Sequence, residues 1–156
     1  MEKLMKVSIR KIEQKEQEQV VIACVEITPE VRDIRAYALS RGTGLSGTSS
    51  SGHMEQINLQ SVFYFEAVDE KVFAYTENDC YRIKSRLYEI EKAYGAYHFA
   101  RCSKSVVLNL MRLGSISPAL NGRFYAHMKN GERLIISRQY APILKEIVSG
   151  EHEYED

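Results

Sequence analysis

Four histidines, three cysteines and two close pairs of acids are the side chains that could carry catalysis, and their spacing favours none of it. His53, His98, His127 and His152 share no metal-ligand interval with one another or with Cys24, Cys80 and Cys102, so no metal or other cofactor is expected. His98 and His127 fall inside strand-like runs and read as structural. The cysteines are odd in number and lack Cys-x-x-Cys spacing, and each sits in a β-prone run, which reads as buried or half-buried free thiols. Cys102 has Arg101 and Lys104 nearby, and cations favour a thiolate, so it is the one redox candidate. Asp69 and Glu70 occupy a turn; Glu89 and Glu91 belong to a solvated helix face. No Ser or Cys has a nucleophile-elbow setting. Gly42, Gly44 and Gly47 match the letters of G-x-G-x-x-G. That fingerprint needs a strand before it and a helix after it, so that phosphate meets a helix N-terminus. Here a helix precedes and a strand follows. The chain reads as a non-enzyme.

The elements that must position any functional group belong to a protein of 156 residues that is 44% hydrophobic and 27% charged, enough for one core with an accessory piece. No apolar run reaches the roughly 18 residues of a membrane span, and no export signal opens the chain, so a cytoplasmic protein is expected. The formal net charge is zero but unevenly placed. Residues 54–145 carry thirteen Lys or Arg against nine Asp or Glu, whereas residues 146–156 carry five acids and no Lys or Arg. A modestly basic middle is compatible with phosphate binding without requiring it.

Residues 7–12 and 20–27 read as two strands joined by a solvated Glu/Gln/Lys-rich connection. Thr28-Pro29-Glu30 then opens a helix with a capping hydroxyl, a first-turn proline and an acid near the positive helix end. Val31, Ile34 and Ala38 would share its inner face, with Gly42 as the stop. Residues 42–52 read as a loop or ragged edge strand. Three short β runs follow at 62–65, 71–76 and 80–83, then a helix over 84–94 with Leu87, Ile90 and Tyr94 inward. Further strands are read at 97–102, 123–129 and 133–137. The last two follow Asn121-Gly122 and Asn130-Gly131, both two-residue turn signals. Residues 138–148 close the fold as an amphipathic helix with Ile143, Leu144 and Ile147 inward. Many short strands with few helices argue for a mainly β (α+β) antiparallel fold and against a parallel α/β sheet.

Within this pattern, Phe99-Ala-Arg-Cys-Ser-Lys-Ser-Val-Val-Leu-Asn109 resembles the central motif of LytTR domains, the DNA-binding module of LytR/AlgR/AgrA-type bacterial regulators. In that family an aromatic precedes Arg-x-(Ser/His)-x-Ser, and a short apolar run then ends in Asn. Val62-Phe-Tyr-Phe-Glu66, Leu87-Tyr-Glu-Ile-Glu91 and Ile135-Ile-Ser-Arg-Gln-Tyr140 resemble its aromatic-Glu strand, its Leu-x-x-Leu-Glu helix and its step into the last helix. The resemblance covers residues 55–148. It implies an elongated antiparallel-β domain that contacts DNA from loops, at three places. Carried over by position, these are Lys71 with Asp69; then Arg101, Ser103 and Lys104; then Arg138. Arg offers a planar fork for a guanine edge or phosphate, Lys a compact charge, and Ser a hydroxyl for phosphate oxygen. Residue by residue, Arg101 could instead pair with Glu66, Asn109 fits pinning of local backbone, and Ser105 fits a cap.

The resemblance is to the small form without a phosphorylatable receiver domain. The expected division is a β-β-α extension at 1–50 serving dimerisation or regulation, a DNA-binding domain at 51–150, and an acidic tail at 151–156. The expected partner is duplex promoter DNA with repeated half-sites, bound by a homodimer. The alternative is a protein-interaction regulator acting with a small membrane protein, with weak or no DNA binding.

Overall fold

The computed structural model describes residues 5–40 and 43–149. Among the described residues ten strands form two antiparallel sheets. The larger has the order β2-β1-β5-β4-β3-β7-β6, from β1 (Gly44–Ser49), β2 (Met54–Asn58), β3 (Tyr64–Val68), β4 (Lys71–Tyr75), β5 (Cys80–Ile83), β6 (Phe99–Arg101) and β7 (Val106–Asn109). The smaller is β10-β9-β8, from β8 (Leu113–Pro118), β9 (Phe124–Met128) and β10 (Arg133–Ile136). The α-helices among the described residues are α1 (Pro29–Ser40), α2 (Leu87–Tyr94) and α3 (Ala141–Ser149). The mainly β antiparallel reading holds.

Strand alternation sends successive side chains to opposite faces of the large sheet. Phe65 and Val107 enter a core with Leu87 and Ile90 of α2. Tyr64, Val106 and Leu108 enter a second core with Ala126 and Met128 of the small sheet and Leu144 of α3. The large sheet is thus apolar on both faces. Each such side chain, fully buried, contributes roughly 1.5–3 kcal/mol. Asn109 is buried between them: its Nδ2 donates to the Val62 carbonyl at 2.9 Å, and its Oδ1 accepts the Met111 N–H at 3.0 Å. It pins backbone, as its type at the end of an apolar strand suggested.

Several local expectations need correction. Residues 7–12 and 20–27 form no strands; residues 5–28 are irregular apart from a single 3-10 turn, Lys15–Gln17. A β-prone run becomes a strand only where another strand satisfies its backbone, and no ladder reaches these residues among those described. Cys24, in this segment, is exposed and not buried. Helix α1 is capped as read, with Thr28 Oγ1 accepting the Val31 N–H at 3.3 Å. Its buried residues are Val31, Ala36 and Ser40, with Ile34 and Ala38 only half-buried. Gly42, its expected stop, lies outside the described residues.

Residues 44–49 are a regular strand inside the large sheet. At Gly47 a Cβ would stand 2.6 Å from Ile57 Cδ1 and 2.8 Å from Tyr81 Cβ, so glycine is there for close packing and not for a phosphate. Strand β8 carries too few apolar residues to stand out in the sequence. Neither Asn-Gly pair makes a bare two-residue turn: Asn121-Gly122, both at positive φ, and Asn130-Gly131 each belong to a three-residue loop, closed by Ala119 N–H to the Arg123 carbonyl at 2.9 Å and by Met128 N–H to the Glu132 carbonyl at 2.8 Å. Helix α2 begins at Leu87 and not at residue 84; the Glu89 carboxylate accepts the Arg86 N–H at 3.1 Å and fixes that start. In α3, Ala141 and Leu144 are buried while Ile143 is 52% exposed, so Ile143 points outward. The acidic tail at 151–156 lies outside the described residues.

Candidate nucleic-acid interface

Four chain segments meet at one end of the large sheet. The first is the β3–β4 hairpin: Val68 pairs with Lys71, leaving Asp69 (φ 49°) and Glu70 (φ 65°) as a two-residue turn of the type that matches strand twist. Asp69 and Lys71 are exposed on it. The second is the β6–β7 loop, residues 102–105. It is tied to β3 by Ala67 N–H to the Ser105 carbonyl at 2.8 Å, and closed by Cys102 N–H to the Val106 carbonyl at 3.0 Å. Ser103 Oγ accepts the Ser105 N–H at 3.3 Å and so shapes the loop, while Lys104 stands exposed at its tip. The third is the residue 137–140 step between β10 and α3, bound to the loop by Ser137 N–H to the Cys102 carbonyl at 2.9 Å. Arg138 follows, exposed.

The fourth is the β8–β9 turn. Gly122 lies beneath Arg138: a Cβ on it would be 2.8 Å from Arg138 Cδ, and its φ of +74° also suits glycine. The missing side chain lets the Arg138 stem lie flat on the turn and presents its guanidinium outward. Arg123, the next residue, is exposed beside it.

Lys71, Ser103, Lys104, Arg138 and Asp69 are therefore brought to one end of the sheet by backbone hydrogen bonds. Arg101 is placed differently. It sits on the α2 face of edge strand β6, its Nε 3.5 Å from Glu91 Oε2, and Nε and Nη1 are buried without a hydrogen bond. Its partner is Glu91 and not Glu66, whose strand position directs it to the other face of the sheet. Sequence reading missed Arg123 and Lys84. Lys84 follows Ile83, whose partner is Val72, so it leaves the sheet at the same end as Lys71. Both were findable: one follows an Asn-Gly turn, and the other follows from counting β5 back against β4.

Across these segments five exposed cations (Lys71, Lys84, Lys104, Arg123, Arg138) stand against two exposed acids (Asp69, Glu70), a surface fit for a polyanion. Reactive chemistry is absent from it. Burial pushes the Cys102 thiol up to about 12, with Arg101 pulling weakly the other way, so the redox candidate is an inert core thiol. The described residues hold no cluster of His, Cys, Asp or Glu fit for a metal ion, and no helix among them is long and apolar enough to cross a membrane.

Comparison with known proteins agrees with the mainly antiparallel β fold. The LytTr DNA-binding domain family model matches residues 52–149. An uncharacterized HTH-type transcriptional regulator of Staphylococcus aureus strain COL is 33% identical over 93 residues, covering 60% of this chain and 63% of the relative. A counterpart in strain MRSA252 is 32% identical over the same length. The match thus spans less than two thirds of those relatives. Their name refers to a helix-turn-helix, but among the described residues a strand intervenes between every two successive α-helices. Among solved structures, the LytTr DNA-binding domain of a Bacillus cereus protein described as a methyl-accepting/DNA response regulator superposes with a TM-score of 0.63 at 27% identity, covering 67% of this chain and 95% of that one. This chain belongs to the LytTR family of DNA-binding-domain proteins.

Proposed function

We propose that the chain is a transcriptional regulator that binds specific sequences in duplex DNA through the loop-bearing end of its large sheet, and that it is not an enzyme. The observation that carries the reading is the gathering of Lys71, Lys104 and Arg138 onto one solvent-facing end by hydrogen bonds between their segments, with Arg123 on the turn that packs through Gly122 against the Arg138 stem. Lys71, Lys84 and Lys104 supply phosphate contacts, Ser103 shapes the loop that carries Lys104, and Arg138 reads a base edge. Asp69 borders the contact and repels misplaced phosphate. Arg101 contributes after exchanging Glu91 for DNA.

The working division is a regulatory extension through residue 50, whose last strand β1 joins the large sheet between β2 and β5, then a DNA-binding domain over 51–150 and an acidic tail. The protein acts in the cytoplasm on repeated half-sites, one per protomer of a dimer, which matches operator repeats to protein symmetry. A genome-wide binding selection with purified protein, followed by anisotropy titration on the recovered sites, tests this. Enrichment of a repeated motif, with affinity falling steeply as salt rises, is expected. Absence of DNA affinity at low salt overturns the reading.

A further inference from the structure

An apolar side chain stands exposed among the cations of the loop-bearing end. Leu120 is 83% exposed, the most exposed large hydrophobic residue of the segment 44–149. The fold holds it in place. It opens the loop between β8 and β9, which is closed by Ala119 N–H to the Arg123 carbonyl at 2.9 Å and by Arg123 N–H to the Leu120 carbonyl at 3.3 Å. Asn121 and Gly122 supply the positive φ angles of the turn, and the Arg138 stem lies on Gly122. Leu120 is thus fixed relative to Arg138, although neither the turn nor a core needs a leucine there. A single exposed leucine is ordinary on a protein surface, but its setting here is not. Asn121, Gly122 and Arg123 beside it are exposed and offer no apolar patch for a protein partner.

We propose that Leu120 reads the methyl group of a thymine in the major groove, close to the base whose edge Arg138 takes. The inference deepens the DNA reading and rests on it. An arginine fork reads guanine through O6 and N7, which open into the major groove, and the thymine methyl is the apolar group that projects into that same groove. Leucine has no donor for a phosphate or a base edge, so the methyl is the feature of the groove that it matches. Reach agrees with this. Leu120 and Gly122 are two residues apart, at most ~7 Å of chain, and successive bases of one strand lie about 3.4 Å apart. The thymine therefore falls within two base pairs of the guanine. Charge and apolar contact divide the work. Lys104, Arg123 and Arg138 hold the duplex with a salt-dependent affinity, whereas Leu120 adds discrimination that salt does not screen.

On a site recovered by the binding selection, Arg138→Ala is expected to mark its guanine by losing discrimination there. Each thymine of the site is then replaced in turn by deoxyuridine, which pairs alike and lacks only the methyl. The native chain should lose about fourfold in affinity at one thymine within two base pairs of that guanine, as expected for one methyl returned to water. The slope of log K against log salt should stay the same. Leu120→Ala should lose a similar factor on the thymine site and be indifferent to deoxyuridine at that position, while Leu120→Met keeps the preference. The proposal is overturned by a native chain indifferent to every deoxyuridine, by an Arg138→Ala that marks no guanine, or by a thymine effect that lies outside the window. A Leu120→Ala chain that keeps the full thymine preference, or that weakens on unrelated duplexes by the same factor, also overturns it. A native chain that binds no duplex at low salt removes the DNA reading itself, whereas tight, specific binding without the thymine effect removes this inference alone.

Discussion

The two ends of the large sheet are built from the same strands and the same kind of short turn, yet they differ in what their charges do. At one end Lys71, Lys104 and Arg138 stand in solvent, their segments joined by backbone bonds that leave these side chains without an acid partner among the described residues. At the other end Glu55, Glu77 and Asp79 border an open hollow of about 370 Å³, and its cation, Arg112, is spent on the protein. Arg112 donates from Nε and Nη2 to the Gln60 carbonyl at 3.0 and 2.8 Å and lies 5.4 Å from the Phe63 ring centre. Cation count alone does not mark a polyanion site. What marks it is whether the fold has already committed the cation.

The largest effect should therefore come from Arg138. Arg138→Ala is expected to weaken binding to the selected DNA site by about 1–3 kcal/mol, roughly 5- to 150-fold, with little change in thermal midpoint. Arg112→Ala should do the reverse. It leaves the Gln60 carbonyl without its charged donor, costing about 1–3 kcal/mol of stability in a urea titration, while the folded protein binds DNA as before. A loss of affinity in Arg112→Ala matching that of Arg138→Ala would break the distinction between the ends.

Phosphate contacts should show a different signature. Lys71→Ala and Lys104→Ala are each expected to lower affinity for specific and unrelated duplexes alike, and to reduce the slope of log K against log salt by about 1. If either changes discrimination between sites and leaves the slope intact, that lysine reads bases.

How much of this was legible beforehand follows from where each residue's partners lie. The β3–β4 turn, the cap of α1 and the role of Asn109 depend on neighbours within a few residues or on a conspicuous type in an apolar run, and the sequence carried them, whereas the cap that starts α2 at Leu87 was not read. The site residues at 71, 104 and 138 came from family likeness, since nothing local distinguishes Lys104 from any exposed lysine. What escaped were facts of tertiary pairing. The strand-like runs at 7–12 and 20–27 have the right alternation and no partner within the described chain. Strand β8 has a partner but little apolar signal. Arg101 was misjudged in its partner because Glu66 and Glu91 are equally plausible in sequence, and only strand parity (Phe99 and Arg101 on the α2 side, Glu66 on the other) separates them.

That parity yields the smallest and most discriminating effect. Glu91 is partly exposed and Arg101 mostly covered, so their ion pair is worth only about 0.2–1 kcal/mol. If Arg101 must leave Glu91 to touch DNA, breaking that pair is part of the binding free energy, and Glu91→Gln should tighten binding by about 1.4- to 5-fold in a low-salt titration. If Arg101 only braces β6 against α2, the same substitution loosens the edge strand that carries residues 102–105, and binding weakens with stability. The sign of one modest change thus separates a cation held in reserve from one already committed like Arg112.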